Sequence, residues 1–123
     1  MKRTLLTGLA FLMLVGMPSS FGHHSPAVFD QTQEVILEGI VTQFRWTNPH
    51  SWIELNVRNE AGDSEPWAIE MTGPAHLVRA GWTRSTLAIG DEVRIVANPL
   101  RSSEKVGKFV SVTLPDGEEL SER

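Results

Sequence analysis

Two alternating segments joined by a short polar turn constrain the fold of this chain more than any other feature. Residues 51–59, SWIELNVRN, alternate apolar and polar side chains, and residues 66–72, PWAIEMT, do the same. The stretch that links them, NEAGDSE, is rich in turn-forming residues. A period of two is typical of antiparallel strands that bury one face and expose the other. The sequence therefore predicts a β-hairpin here, with Trp52 on the outward face of its first strand.

Three further segments extend the β pattern to both sides of this hairpin. Residues 34–46, EVILEGIVTQFRW, carry apolar residues on both faces, which is typical of a long strand that bends, with Gly39 at the bend. Residues 87–99, LAIGDEVRIVANP, place a Gly-Asp turn before a fourth strand. Residues 108–114, KFVSVTL, form the fifth strand, and a Pro-Asp-Gly turn signal follows them.

A short helix separates the third and fourth strands. Pro74 suits the first turn of a helix and Gly81 its end, which predicts a helix over 74–80. Five strands, the first long and bent, with a helix before the fourth, predict a small five-stranded Greek-key barrel of the OB type. The alternative is an open antiparallel sheet with the helix packed across it. Closure is favoured because it removes exposed strand edges in a chain that has no cysteine for a disulfide.

The N-terminus has the pattern of a cleavable export signal. Residues 1–22 begin with a basic Met-Lys-Arg, continue with the apolar run TLLTGLAFLMLVGM, and end in PSSFG. The run is shorter than the roughly 20 apolar residues of a membrane-spanning helix, although an uncleaved anchor is the alternative. The small residues Ser20 and Gly22 predict cleavage after Gly22. We therefore expect a periplasmic or secreted protein with a single mature domain, residues 23–123.

The charge balance limits the partners of this domain. Removal of Lys2 and Arg3 leaves nine basic residues against 15 acidic ones. A nucleic-acid-binding protein needs a positive surface, and adsorption to anionic lipid needs one too. We therefore expect neither a nucleic-acid partner nor stable membrane insertion after cleavage. Thiol chemistry is excluded, and the chain carries no Gly-x-Ser-x-Gly, phosphate-binding glycine loop or HExxH motif, so we expect a binding protein rather than an enzyme.

The N-terminal histidine pair is the strongest chemical signal in the chain. Cleavage after Gly22 would make His23 the first residue, and its free amine and ring Nδ1 could then chelate one metal ion. A third nitrogen from a distant histidine would complete a T-shaped set, and such nitrogen donors favour Cu(II). His24 offers a second mode, in which the amine, an amide and the second imidazole form the chelate. Copper is therefore the cofactor that the sequence predicts.

The distant donor that we predict is His50. The stretch TNPHSW places it in a turn before a strand, where Asn48 helps to initiate the turn and Trp46 and Trp52 flank the imidazole. The alternative is that Asn48 and His50 form hydrogen bonds to the backbone and only fix the turn. The fourth histidine, His76, shares a helix face with an arginine and is predicted to be a surface residue.

Two acidic residues are candidates to orient a ligating imidazole from behind. Asp30 and Glu70 could each accept a hydrogen bond from the ring nitrogen that does not bind the metal. By contrast, the Glu118-Glu119 pair is predicted to belong to a solvated charged tail.

The tryptophans suggest a second function. Trp67 is predicted to be a core residue and Trp82 to fill one end of the barrel. Trp52 should face outward, where either the N-terminal segment with Phe29 or a partner would cover it. The alternative function is therefore a metal-free module that binds a small ligand or a protein partner through the Trp52 face. A copper redox enzyme that uses the same histidines is a third possibility.

Four motifs give the chain a family resemblance. HHSPAVFD near the predicted mature start, RWTNPHSWI at 45–53, GWTR at 81–84 and SVTLPDG at 111–117 are similar to those of a bacterial family of exported proteins of unknown function. Its members carry an HHS-x-A-x-FD start and a W-x-N-P-H-x-W signature. The resemblance implies a small secreted β-barrel-like domain and no mechanism. The chain departs from the family at Pro26, where a bulky residue often follows HHS.

Overall fold

Six strands and one short α-helix form the part of the chain that the structure describes, residues 26–123 of a computed structural model. A single turn of 3₁₀ helix, Pro26–Val28, precedes them. The helix, α1, spans Pro74–Arg79 and lies between the third and fourth strands. In chain order the strands are β1 Val35–Arg45, β2 Trp52–Arg58, β3 Ser64–Glu70, β4 Glu92–Pro99, β5 Val106–Thr113 and β6 Glu119–Ser121.

The first five strands close into a barrel. Neighbouring strands follow the order β3-β2-β1-β4-β5, and a parallel pairing of β3 with β5, which includes Ala68 opposite Val106, joins the two ends. The predicted five-stranded barrel with one helix between the third and fourth strands is therefore confirmed, and the open-sheet alternative is wrong. Closure satisfies the backbone groups that an open sheet would leave at its edges.

The first strand bends, but not at the residue that the sequence suggested. The register of β1 against β2 shifts between Val41 and Gln43, which marks a β-bulge at that point. Gly39 has a different role, because a Cβ atom built on it would lie 2.4 Å from the carbonyl oxygen of Asn56 on β2. This glycine is thus required by the close approach of two backbones.

The barrel interior is apolar and includes Trp82. The indole is 1% exposed and packs edge-on against Phe109, with 5.5 Å between the ring centroids. Every strand from β1 to β5 contributes buried side chains to the same cluster, as do α1 and the loop after it. Its members are Leu37, Val41, Ile53, Leu55, Val57, Ile69, Met71, Leu77, Trp82, Leu87, Val93, Ile95, Ala97, Phe109 and Val112.

The prediction for Trp67 needs a correction. Its ring faces the same side as the core residue Leu55, its register partner, but it is only half-buried. The Lys105 ammonium lies 5.5 Å from the ring centroid and covers part of its exposed surface. Alternation predicted the correct face of the strand, although it could not show how deep in the barrel the residue lies.

The C-terminal tail is also more ordered than the sequence suggested. Glu119 belongs to β6, which pairs antiparallel with β5 through Ser121 opposite Ser111. The turn signal at Pro115–Gly117 therefore closes a hairpin between β5 and β6 rather than ending the fold. The side chains of Glu118 and Glu119 are exposed, as expected for a charged pair at the surface.

The predicted leader, residues 1–22, and the histidine pair His23 and His24 lie outside the described residues. From residue 26 onward, none of the helices has the length and apolar character needed to cross a membrane.

Candidate functional site

The β1–β2 loop, residues 46–51, folds against the end of β3 and the start of α1. The Ser51 amide donates to the Thr72 carbonyl at 3.0 Å, and the Met71 amide donates to the Ser51 carbonyl at 2.8 Å. The Asn48–Pro49 peptide bond is cis. A Cβ atom on Gly73 would lie 2.9 Å from the Pro49 carbonyl oxygen, so the absent side chain lets the loop approach the helix. The loop is therefore held in one position relative to β3.

A small cavity lies between this loop and the outer face of β1, β2 and β3. Its volume is about 250 Å³, and it is open to solvent on one side. Four residues that the sequence singled out line it together: Asn48, His50, Trp52 and Glu70. The histidine proposed as a metal donor and the tryptophan proposed as a ligand-binding surface thus belong to one site.

One contact to a backbone carbonyl and one to a side-chain carboxylate orient His50 in this cavity. Its Nδ1 lies 2.9 Å from the Met71 carbonyl oxygen and 3.3 Å from Oε1 of Glu70. Both of these oxygens are positioned as acceptors, so Nδ1 carries the proton. In the neutral imidazole this leaves a lone pair on Nε2, and no described residue donates a hydrogen bond to that atom. A metal-binding histidine commonly has this arrangement, with Nδ1–H on a carbonyl or carboxylate oxygen and Nε2 on the ion.

The carboxylate of Glu70 is buried although the residue faces away from the barrel interior. Its neighbours Ile69 and Met71 point into the core, and its register partner Trp52 points outward. Only 5% of Glu70 is exposed, because the β1–β2 loop lies over it. Its Oε2 has no hydrogen-bond partner among the described residues. A buried carboxylate in such a position is costly unless a positive charge or a donor compensates it.

Arg45 forms the opposite wall of the cavity, and the sequence analysis missed it. Its guanidinium carbon lies 5.6 Å from the ring centroid of Trp52, and its Nη2 pairs with Oε1 of Glu54 at 2.9 Å. Arg45 thus covers part of the outward ring of Trp52. No sequence pattern marked it, because its position opposite Trp52 depends on the register of β1 against β2.

The other predicted residues lie away from the cavity. Trp46 packs edge-on against Phe44, with 5.8 Å between the ring centroids, and is half-buried against the core. His76 is exposed on α1, with its Nδ1 3.3 Å from Nη2 of Arg79. Within residues 26–123 no three His, Cys, Asp or Glu side chains are grouped to hold a metal ion. A complete metal site would therefore need donors from outside this range.

Asp30 and Phe29 belong to a separate region near the start of the described chain. Asp30 accepts hydrogen bonds from the Thr32 hydroxyl at 2.6 Å and the Thr32 amide at 3.1 Å. These bonds, the hydroxyl foremost, lower the pKa of Asp30 below its ordinary value, and nearby Arg101 acts in the same direction. Phe29 forms a β-bridge with Leu100 and does not cover Trp52, as one of the expectations had it. The group that lies over the Trp52 ring is Arg45.

A larger open groove lies on the outside of β1 and β4. It has a volume of about 720 Å³ and is bounded by the β2–β3 turn and by the end of β5. Ile40 and the Glu38 and Arg94 side chains line it, and no histidine does. Its mixed charges give no specific chemistry, so the smaller cavity is the candidate site.

The C-terminal residues close the back of this site. The Trp82 indole N–H donates to the Ser121 carbonyl at 2.7 Å, which fixes the end of β6. The next residue, Glu122, accepts a hydrogen bond from the Thr72 amide through Oε1 at 2.6 Å. Thr72 follows Met71, whose carbonyl orients His50, so the tail braces the segment that holds the imidazole.

Burial raises the pKa of Glu122 above its ordinary value of 4.5, against the opposing effects of the Thr72 amide and of nearby Lys108, His76 and His50. The folded chain therefore holds this proton more tightly than the unfolded chain. The stability that the proton contributes is present below 4.5 and is lost as the pH rises through the raised pKa.

Glu122→Gln is expected to remove this loss, because glutamine stays neutral and keeps an oxygen for Thr72. The free energy of unfolding of the variant, relative to the unaltered chain, should rise between about pH 4 and pH 7 in urea titrations. Glu119→Gln, an exposed neighbour on β6, is the matched control. A difference that shrinks toward neutral pH would contradict the assignment.

One of the comparisons with known proteins identifies a family. The model of a family of unknown function, DUF6152, matches residues 11–109. The chain belongs to this family. Because the match runs through the β1–β2 loop and β3, the cavity of this DUF6152 member lies inside the family region. Comparisons with curated proteins and with solved structures return no match.

Proposed function

We propose that this DUF6152 member is an exported metal-binding protein that holds one copper ion at the β1–β2 loop. His50 supplies one nitrogen through Nε2. His23, through its amine and ring, or His24 supplies the others once the leader is removed. The protein acts as a carrier or store of the ion rather than as an enzyme, since its sequence has none of the hydrolase or nucleotide-binding motifs.

The orientation of His50 is the observation that carries this proposal. The Met71 carbonyl at 2.9 Å fixes the proton on Nδ1, and Nε2 is left without a partner among the described residues. The alternative, in which His50 only fixes its turn, uses the same bond to the Met71 carbonyl, so metal binding is what separates the two. A preoriented free nitrogen beside a buried carboxylate is suited to a cation.

The length of the N-terminal segment is compatible with a shared site. Phe29 forms a β-bridge with Leu100. The Leu100 amide donates to the Val106 carbonyl, and Val106 is paired with Ala68 on β3. Glu70 is therefore three strand spacings away from Phe29 across the sheet and two residues further along β3. Taken at right angles, these two lengths give a distance of roughly 16 Å between Phe29 and Glu70.

The three residues from Phe29 back to Pro26 form a 3₁₀ turn and advance about 2 Å each, and the three from Pro26 back to His23 could add about 10 Å. The sum is about equal to the distance to Glu70, so the shared site requires this segment to run directly toward the cavity.

Copper is the metal that the proposed donors favour. An amine and two imidazoles form an all-nitrogen set, and Cu(II) leads the divalent first-row ions in affinity for such sites. The chain has no cysteine, so the thiolate sites that zinc or iron–sulfur clusters use are excluded.

Copper titration of the mature chain tests the proposal. A protein that begins at His23 should bind one equivalent of Cu(II), with nitrogen hyperfine coupling in its electron paramagnetic resonance spectrum. His50→Ala should weaken binding by about tenfold or more, a loss of about 1.4 kcal/mol. His76→Ala is the matched control, because His76 is exposed on α1 and does not line the cavity. One extra residue before His23 should also weaken binding, since it removes the terminal amine from the chelate.

Two results would overturn the proposal. An unchanged affinity in His50→Ala would remove His50 from the donors. The absence of any Cu(II) binding would favour the second function, a metal-free binding module. The observation that supports this second function is the position of Trp52. Its half-buried ring forms one wall of a cavity whose 250 Å³ suits a single side chain of a protein partner or a small ligand.

A further inference from the structure

We infer that the outer face of β1 and β4 is a contact surface between two copies of this chain, which form a weak dimer around a twofold axis. The face consists of six outward side chains: Ile36, Glu38 and Ile40 of β1 and Glu92, Arg94 and Val96 of β4. The inference goes beyond the proposed function, because none of these residues lines the candidate cavity.

Two large apolar side chains are exposed on this face. Ile36 is 57% exposed and Ile40 is 48% exposed, whereas their neighbours Leu37 and Val41 are buried in the core. The isoleucines therefore point outward because of the alternation of the strand, and the barrel leaves them uncovered. Ile36 lies opposite the half-buried Val96, so the apolar surface continues onto β4. Exposed apolar side chains that lie side by side on a sheet favour contact with a partner.

The charged side chains on and beside this face have no firm partners. Glu38 lies opposite Arg94 in the register, with Oε1 of Glu38 3.9 Å from Nε of Arg94. Both side chains are well exposed to solvent, so this contact contributes little to the fold. Glu92 and Arg58 line the groove over the same strands, and neither has an ion pair among the described residues. Two acidic and two basic groups are thus available to a partner.

This mixture of charges favours a second copy over a partner of one charge sign. A strongly acidic or strongly basic partner would be repelled by half of the four groups, whereas another copy carries the same mixture. The mature domain as a whole has nine basic residues against 15 acidic ones, so two copies repel each other on average. At this face the opposite charges cancel, and the repulsion is locally absent.

The register of β1 and β4 determines how two copies can pair. In a twofold contact the same face meets itself, so each contact occurs twice. With the axis parallel to the strands and midway between β1 and β4, Glu38 of each copy lies over Arg94 of the other, and Ile36 lies over Val96. With the axis across the strands at the same point, Glu38 would lie over Glu38 and Arg94 over Arg94. Like charges would then face each other, so the first arrangement is favoured.

The side chains of the face fit the spacing of two packed sheets. Sheets pack face to face about 10 Å apart, a gap that an isoleucine and a valine fill and that a glutamate and an arginine bridge. Six side chains are far fewer than the roughly 20–30 residues that each partner contributes to a standard interface. The dimer should therefore be weak and form only at high protein concentration.

Charge reversal tests the inference on the mature chain, without copper and with a chelator present. Sedimentation equilibrium from about 10 µM to 1 mM covers the range of a weak dimer. Glu38→Arg and Arg94→Glu should each weaken association by about tenfold or more, because two attractive contacts in each dimer become repulsive. An equal mixture of these two variants should recover association, since every arginine of one variant then faces a glutamate of the other.

Two further variants make the outcome specific. Arg84→Glu makes the same change in net charge as Arg94→Glu, but Arg84 is exposed in the loop between α1 and β4 and is not part of the face. It should leave association unchanged. Ile36→Thr keeps a β-branched side chain on the strand and should weaken association several-fold. Circular dichroism establishes that each variant is folded before the association constants are compared.

Three results would overturn the inference. The first is an unaltered chain that stays monomeric up to about 1 mM. The second is a dimer that tolerates both charge reversals, or that Arg84→Glu weakens as much as Arg94→Glu does. The third is a mixture of the two variants that fails to recover association. Because copper is absent from these measurements, their failure leaves the proposed function standing, and a failure of copper binding leaves the dimer standing.

Discussion

Trp82→Ala is expected to lower the free energy of unfolding by about 4–5 kcal/mol, the largest effect of any single change considered for this protein. The indole is 1% exposed and packs against Phe44 and Phe109, so truncation leaves a large cavity in the core. It also removes the N–H that donates to the Ser121 carbonyl at 2.7 Å. A domain of this size has a stability of roughly 5–15 kcal/mol, so the variant should be barely folded at room temperature.

Urea denaturation followed by far-ultraviolet circular dichroism measures this effect. Trp82→Phe is the matched control, because it retains an aromatic ring and loses only volume and the indole N–H. We expect it to cost about 1–2 kcal/mol. A loss of less than about 1 kcal/mol in Trp82→Ala would mean that the indole does not fill the barrel as described.

Gly39→Ala should cost about 3 kcal/mol, near the upper end of the range for overpacked sites. The added Cβ atom would meet the backbone oxygen of Asn56 at 2.4 Å, and a carbonyl in a β-ladder cannot rotate away as a side chain can. Gly39 pairs with Val57 on one side and Val93 on the other, so relief of the clash must separate β1 from β2. Chemical denaturation should show a lower midpoint, and the Ser51 amide, which donates to the Thr72 carbonyl, should exchange its proton faster because β1 and β2 support its loop.

Glu38→Ala is the control for this prediction. Its side chain is exposed on the same strand and makes only a 3.9 Å contact with Arg94, so its removal should change stability by less than about 0.5 kcal/mol. If Gly39→Ala proves as stable as Glu38→Ala, β1 and β2 can separate at Gly39 without a loss in the free energy of unfolding. That result would contradict the prediction.

The β-hairpin and the barrel could be predicted because they depend on patterns that a sequence displays directly. Alternation in residues 51–59 and 66–72 predicted the buried faces of β2 and most of β3. Pro74 predicted the start of α1. The position of the bulge in β1 could not be predicted, because it reflects how β2 and β4 approach the strand from two sides. β6 escaped notice because three residues carry too little periodicity.

The candidate site, like the fold, could be predicted from the sequence only in part. The motif around His50 drew attention to the residue and to Asn48 and Trp52, which do line one cavity. The burial of Glu70 could not be predicted, since alternation places it outward and only the loop that lies over it excludes water. The proton position on His50 depends on the Met71 carbonyl, and a backbone oxygen has no sequence signal at all.

The anchoring of the C-terminal residues has a practical consequence for work on this protein. Ser121 accepts the indole proton of Trp82, and Glu122 contacts Thr72, so a purification tag appended after Arg123 would begin one residue from a structural contact. The opposite terminus must stay unmodified if its amine is a metal donor. The exposed β2–β3 turn around Gly62, which lies apart from the cavity, is therefore the place where a label or an affinity handle should be inserted.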